Sequence, residues 1–236
     1  MRDDLGKRMK ENYEFRTRQF LPRRTNTIIR LDGKAFHTFT RGFEKPFDDG
    51  LIDAMNYTLL NLCQNIQGTV IGYTQSDEIT LFLQDYKKRD TDAWYDGNVQ
   101  KITSISASIA TAYFNKYIRE NLGVQKLALF DSRVFTVPEL VEVENAFLWR
   151  QKDCVRNSIS MVAQSLYSPK ELNGKDQNQM QEMIFQKGLN WNDLSAWKKR
   201  GRFAYKTEEG WEIPFETIDI LKERERFTKL LTVEKE

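Results

Sequence analysis

Apolar positions along the chain alternate between two rhythms. TNTIIRL, residues 25–31, is β-branched and unbroken enough to predict a buried strand. From Leu51 the apolar residues Met55, Leu59, Leu62, Cys63 and Ile66 recur at helical spacing. Pro46, followed by Asp48 and Asp49, predicts the start of that helix, and Gly68 its close. GTVIGYT and EITLFLQDY predict a second and a third strand, joined through QSD in a tight hairpin. Helical spacing returns through Ile102, Ile105, Ile109, Ala112, Tyr113 and Tyr117, over residues 98–119, and Gly123 ends it. KLALFDSRVFTV, residues 126–137, predicts a fourth strand, and Pro138 opens a long helix reaching about Tyr167. Residues 4–19 predict an exposed, charged helix stopped by Pro22.

The resulting order, β-α-β-β-α-β, is that of the ferredoxin-like split motif, an α+β fold on a four-stranded antiparallel sheet. Beyond residue 168 the patterns weaken. Trp191, Trp197 and Trp211 there predict an accessory region packed against the first part. The expected division is a core over 1–137 and a long helix with accessory region over 138–236.

This pattern leaves acids where a core should be closing. RLDGKAFH, residues 30–37, places Asp32 at the end of the first strand, and YTQSDEITLF, residues 73–82, places Asp77 and Glu78 at the hairpin tip. On the expected sheet Asp32 and Asp77 are near neighbours. Adjacent carboxylates resist ionisation together. Mg²⁺ resolves that conflict, because it takes one or two carboxylates plus phosphate oxygens. Two such ions ~4 Å apart clamp a phosphoryl transfer. Gly33 lets its carbonyl approach a metal, Lys34 and Lys45 are placed to neutralise a triphosphate, Ser76 to donate to a phosphate, and Phe36 and His37 to stack on a base. Taken singly, Asp32-Gly33 is also an ordinary turn and Asp77-Glu78 an ordinary hairpin tip.

Composition narrows the class. The 236 residues are 40% hydrophobic and 12% aromatic, enough for a core, and 30% charged. No stretch approaches the ~20 apolar residues of a membrane span, and the first twenty residues lack the apolar run of a signal peptide. Cys63 and Cys154 form neither a disulfide framework nor a zinc motif, which fits reduced thiols in a cytoplasmic protein. The net charge of +2 conceals two basic segments, one within residues 1–26 and one at KKRGRFAYK, residues 198–206. These fit either solvated faces or a local contact with a polyanion.

RLDGKAFHTF, FEKPFDD, YTQSDEITLF, FDSRVF and WRQKDC, in that order between about residues 28 and 157, resemble the tRNA-histidine guanylyltransferase superfamily of 3′-to-5′ nucleotide polymerases. The resemblance implies a polymerase-like palm and a nucleotidyltransferase. Asp32 and Asp77 would hold two Mg²⁺, with the Gly33 carbonyl on one, and Glu78 would support the acidic cluster. Asp32, Gly33, Lys34, Ala35, Phe36 and His37, with Ser76 and Asp77, would contact the incoming nucleoside triphosphate. Lys45 and Lys101 would reach its phosphates. ATP or GTP would activate the RNA 5′ end. The resemblance also implies a homotetramer built from dimers and a tRNA partner. Arg23, Arg24, Arg150, Arg156, Asn157, Lys198, Lys199, Arg200 and Arg202 are then the candidates for gripping it.

One stretch departs from the pattern. Members that add guanosine to tRNA-histidine carry a His-led segment directly after the Asp-Cys pair, whereas here Asp153-Cys154 is followed by VRNSISM. That resembles the guanylyltransferase-like branch, which restores 5′-truncated tRNAs by templated addition. A strict tRNA-histidine guanylyltransferase is the alternative. A binding module with an inactive palm, and a nucleotide cyclase, are readings from other classes.

Overall fold

A computed structural model describes residues 4–232. Its centre is one antiparallel sheet in the order β4-β1-β3-β2-β5-β6. The strands are β1 (Asn26–Gly33), β2 (Thr69–Gln75), β3 (Glu78–Gln84), β4 (Phe130–Val137), β5 (Arg202–Thr207) and β6 (Gly210–Glu212). The first four carry the expected split-motif topology. The expected four-stranded sheet is, however, extended by β5 and β6. Residues beyond 168 therefore do more than pack against the core: β5 pairs with β2 from Ile71↔Tyr205 to Thr74↔Arg202.

The helices are α1 (Leu5–Asn12), α2 (Phe36–Phe39), α3 (Asp49–Asn65), α4 (Val99–Leu122), α5 (Leu140–Leu166), α6 (Pro169–Leu172), α7 (Gln177–Gln186), α8 (Ala196–Arg200) and α9 (Arg224–Leu231). Capping side chains set the starts of α3 and α4, among others. Asp48 accepts from the Leu51 N–H at 3.0 Å, and Asn98 from the Lys101 N–H at 3.0 Å. Gly123 ends α4 in the left-handed conformation, at φ 66°. The helix expected over 4–19 is shorter, because the chain tightens into a 3₁₀ turn at Glu14–Thr17. The strand expected from residue 126 begins at Phe130.

Alternation along the strands builds two cores. Ile29, Leu31, Ile79 and Leu81 face α3 and α4, where they join Met55, Leu59, Leu62 and Phe114. Ile28, Tyr73, Phe82 and Phe203 face the other way and meet Val143 and Phe147 of α5 and Phe227 of α9. A satellite cluster joins α5 to α7 through Ile159, Val162, Ile184 and Trp191. Among the described residues no helix is long and apolar enough to cross a membrane.

Gly201 is the hinge on which β5 enters the sheet. Its backbone lies at φ 73°, ψ −168°, a region open essentially to glycine. A Cβ there would sit 2.5 Å from the Tyr73 hydroxyl oxygen and 2.7 Å from the Thr74 carbonyl oxygen. Gly201→Ala is therefore expected to destabilise the fold by roughly 1–3 kcal/mol, measured as a lower midpoint in urea unfolding. An unchanged midpoint would show that β5 re-seats without strain.

Candidate active site

β1 and the β2–β3 hairpin bring the sequence-predicted acids together. Ser76 and Asp77 form the two-residue tip between the paired residues Gln75 and Glu78, with Ser76 in the left-handed region at φ 49°. Asp32 stands opposite Glu78 on β3 and opposite Asp131 on β4. Gly33 ties strand end to hairpin tip, its N–H donating to the Asp77 carbonyl at 3.0 Å. A Cβ on Gly33 would lie 2.3 Å from Phe36 Cδ2, so only glycine fits between that ring and the tip.

The acids differ in how their charge is met. Glu78 is buried and gripped in bidentate fashion by one edge of a guanidinium. Arg150 of α5 donates Nε to Oε1 and Nη2 to Oε2, each at 2.6 Å. Nη2 also reaches Asp153 Oδ2 at 2.8 Å, and Asp153 is held in turn by Arg156. Burial raises the Glu78 carboxyl above its ordinary value, against the lowering pull of Arg150. Burial likewise works against the Arg150 charge, but Glu78 and Asp153 together keep its pKa raised. Asp77 has no such partner. Burial and then the neighbouring Asp32 push its carboxyl up to about 6, and Ser76 offsets this only in part. Among the described residues neither Asp32 nor Asp77 makes an ion pair with a side chain.

A cavity of ≈ 210 Å³ opens beside the hairpin tip. Ser76 and Asp77 stand at it, with Lys45, Asp48 and Phe47 from the segment before α3, Cys154 and Asn157 from α5, and Lys198 and Arg202 around α8 and β5. Two of its buried side chains have a polar atom without a partner: Gln75 Oε1 and Arg202 Nη2. Arg202 is 6% exposed, and its Nε donates to Asn56 Oδ1 at 2.6 Å. Burial lowers its pKa. An orphaned buried donor and acceptor on one cavity wall mark a place for a polar ligand or ordered water.

The remaining sequence-predicted residues scatter. Phe36 does line the cavity, though its ring is largely buried against Phe39, Phe114 and Phe130. Lys34, Ala35 and His37 are exposed at the end of β1. Lys101 stands over Tyr95 at the start of α4, away from the cavity lining. Arg23 and Arg24 lie just before the other end of β1, nine and eight residues ahead of Asp32. There Arg23 is bonded to Asp85 and Asp96.

A surface grip on phosphates does not fit Arg150, Lys199 or Arg202, which are buried. Lys199 donates to the Asn192 carbonyl. Arg200 pairs with Asp219 at 2.9 Å and Lys198 with Asp49 at 2.9 Å. Arg156 and Asn157 are exposed. The sequence reading missed Arg202 as a cavity wall and Arg150 as a clamp. Their partners, Asn56 and Glu78, are far away in sequence.

The carboxylate pair fits a hard divalent cation. Asp32, Asp77 and the Gly33 carbonyl supply only oxygen, and Asp77 is half-buried without a side-chain counter-charge. No larger group of three or more His, Cys, Asp or Glu side chains arranged to hold a metal occurs among the described residues.

Two outcomes test this electrostatic picture. An acid whose folded pKa is raised binds more protons folded than unfolded. Its penalty is therefore absent below about pH 4 and complete above about pH 6. With a chelator present, Asp77→Asn should stabilise the protein by roughly 2–3 kcal/mol at pH 7.5 and by nothing at pH 4. Urea melts at the two pH values measure it, and equal effects at both would discard the desolvated charge. Arg150→Met strands Glu78 and should cost about 3–5 kcal/mol, most of it recovered by adding Glu78→Leu. The double variant melting as low as the single one would show that the fork is not what Arg150 contributes.

Comparison with known proteins places this geometry. The family model described as tRNAHis guanylyltransferase matches residues 6–138. A solved bacterial tRNA(His) guanylyltransferase-like protein in complex with ATP is 44% identical, with TM-score 0.92 over 97% of this chain and 100% of that one. One in complex with GTP is 41% identical, with TM-score 0.85 over 98% and 100%. The tRNA(His) guanylyltransferase of Debaryomyces hansenii is 26% identical over 80% of this chain and 76% of its own length.

Proposed function

We infer the reaction from one premise: the chain belongs to the tRNAHis guanylyltransferase family, and it is a nucleotidyltransferase. We propose that it adds nucleotides in the 3′-to-5′ direction to the 5′ end of truncated tRNAs, with base choice left to pairing against the opposite strand. The observation that carries this reading is the convergence of Asp32, Gly33 and Asp77 at the strand end and hairpin tip, where Asp77 also lines a cavity walled by Lys45, Ser76 and Arg202.

The cavity takes a nucleoside triphosphate, as its relatives solved with ATP and with GTP suggest. Lys45 and Ser76 sit where phosphates would leave it. Asp32, Asp77 and the Gly33 carbonyl would hold Mg²⁺. Bound there, the ion would supply charge neutralisation at the reacting phosphate and a lower pKa for the attacking hydroxyl. The β1–β3 ladder, which ends at Asp32↔Glu78, sets the spacing of the pair, and Arg150 fixes the Glu78 carboxylate beside it.

The chemistry is displacement at phosphorus. A 5′-monophosphate end is first joined to AMP from ATP, releasing pyrophosphate. The 3′-hydroxyl of the incoming nucleotide then forms a bond to that 5′ phosphorus, the bond to AMP breaks, and the hydroxyl proton passes to water. A 5′-triphosphate end loses pyrophosphate instead. The protein contributes position and electrostatics rather than a side-chain nucleophile.

Val155 favours repair over strict tRNA-histidine addition. It directly follows Asp153-Cys154, where guanosine-adding members begin a His-led segment. Here it packs with the α5–α7 cluster and offers nothing polar.

The deciding experiment gives the protein two labelled RNAs with Mg²⁺ and all four triphosphates. One is a non-histidine tRNA lacking its first nucleotide, and the other is full-length tRNA-histidine. The truncated tRNA should gain its templated nucleotide preferentially. Asp32→Ala and Asp77→Ala should lower extension at least 10³-fold. Extension of tRNA-histidine alone would hand the reading to strict guanosine addition.

A further inference from the structure

The α5 face of β1 and β4 carries an open aromatic ring among cations, beside the acids but outside the cavity. Trp149 of α5 is 52% exposed. The Arg30 guanidinium lies 5.3 Å from its ring centroid, and that of Arg150 lies 4.5 Å away. Arg150 is committed to Glu78 and Asp153. Arg30 is held less closely: its charge acts on Glu78 from a distance, but among the described residues it makes no ion pair within 4.0 Å. It precedes Asp32 by two residues, so both point to one face of β1, about 7 Å apart.

Directly opposite Arg30 on β4 stands Arg133, which is exposed and has one carboxylate, Asp131, at 3.3 Å. Like charges in directly opposed register destabilise a sheet unless an anion lies between them. This face thus offers two adjacent features, a gap between guanidiniums suited to an anion and a half-open indole suited to a flat apolar face. A polymer that repeats a phosphate and a base fits both. An acidic peptide would use only the arginines.

We propose that Arg30, Arg133 and Trp149 form a stacking platform for the RNA strand entering the site, with a base on the indole and a backbone phosphate between the two guanidiniums. This rests on the RNA-directed reading above and adds where the strand lies. Trp149 acts as a positioning residue. It brings the RNA end to Asp32 and Asp77 without touching the reacting atoms.

The test is equilibrium binding of a fluorescein-labelled 5′-truncated tRNA over a range of salt, with ATP binding measured in parallel. Trp149→Ala should raise the Kd for RNA about tenfold or more, and Trp149→Phe no more than about threefold, because any aromatic face stacks. Arg30→Gln with Arg133→Gln should flatten the slope of log Kd against log salt by about one. ATP affinity should be unchanged in all three. RNA affinity and salt slope equal to wild type would overturn the platform. So would a parallel loss of ATP affinity, which marks a merely structural role. Wild-type protein that binds no RNA at all would instead sink the RNA-directed reading itself, and the platform with it.

Discussion

The fork between Arg150 and Glu78 is the interaction on which the rest of the site depends. Asp32, Asp77, Glu78, Asp131 and Asp153 crowd one end of the sheet. Left to themselves they would repel one another and resist burial. A guanidinium from α5 meets two of them at once, with two parallel bonds at 2.6 Å to Glu78 and a third at 2.8 Å to Asp153. Planarity makes Arg suited to this; a lysine could meet only one oxygen at a time. Because the fork also ties α5 to β3, it fixes the height of the hairpin tip relative to β1. The protein thus neutralises Glu78 internally and leaves Asp32 and Asp77 without a side-chain counter-charge. That remaining imbalance is what the proposed cation, with its phosphate oxygens, would meet.

The same economy recurs in the cavity. Extending the sheet with β5 brings Arg202 in beside Thr74, against α3, where Asn56 takes only its Nε. A buried guanidinium with an unmet donor is costly in an empty protein. It becomes useful when a polar ligand fills the space. The C-terminal strands are therefore part of the site's wall rather than an appendage, and Gly201 is the point where the chain turns to make this possible.

Much of this was legible in the sequence, for reasons that also explain the remainder. Strands and helices with strong period, such as TNTIIRL and the run from Leu51 to Ile66, declare themselves because one face of each is apolar. The meeting of Asp32 with the hairpin tip followed from topology alone: in a split motif the first strand lies between the third and the fourth, as it does here. Arg150 and Arg202 read as surface cations because local pattern shows charge and not partners. Their partners stand 72 and 146 positions away. β5 was hidden for a related reason. KKRGRFAYK is dominated by its charges, and the alternation of Arg202 and Ala204 with Phe203 and Tyr205 is too short to stand out against them. Phe36 shows a further limit of local pattern: the sequence marks an aromatic beside a turn but not the three rings that pack against it.

Growth at a 5′ end sets a geometric demand that ordinary strand extension does not. In the proposed reaction the activated phosphate belongs to the RNA, while the incoming nucleotide brings its own triphosphate, so two highly charged phosphate groups would approach one pair of carboxylates. A single basic groove would draw both along the same path. The sheet separates them. Lys45, Ser76 and Arg202 line the approach through the cavity at the β2–β5 side of the hairpin tip. Arg30 and Arg133 flank the approach from β1 and β4 at its other side. On that proposal Asp32 and Asp77 would lie where the two approaches meet, and the antiparallel pairing that holds β3 between β2 and β1 would keep those approaches apart.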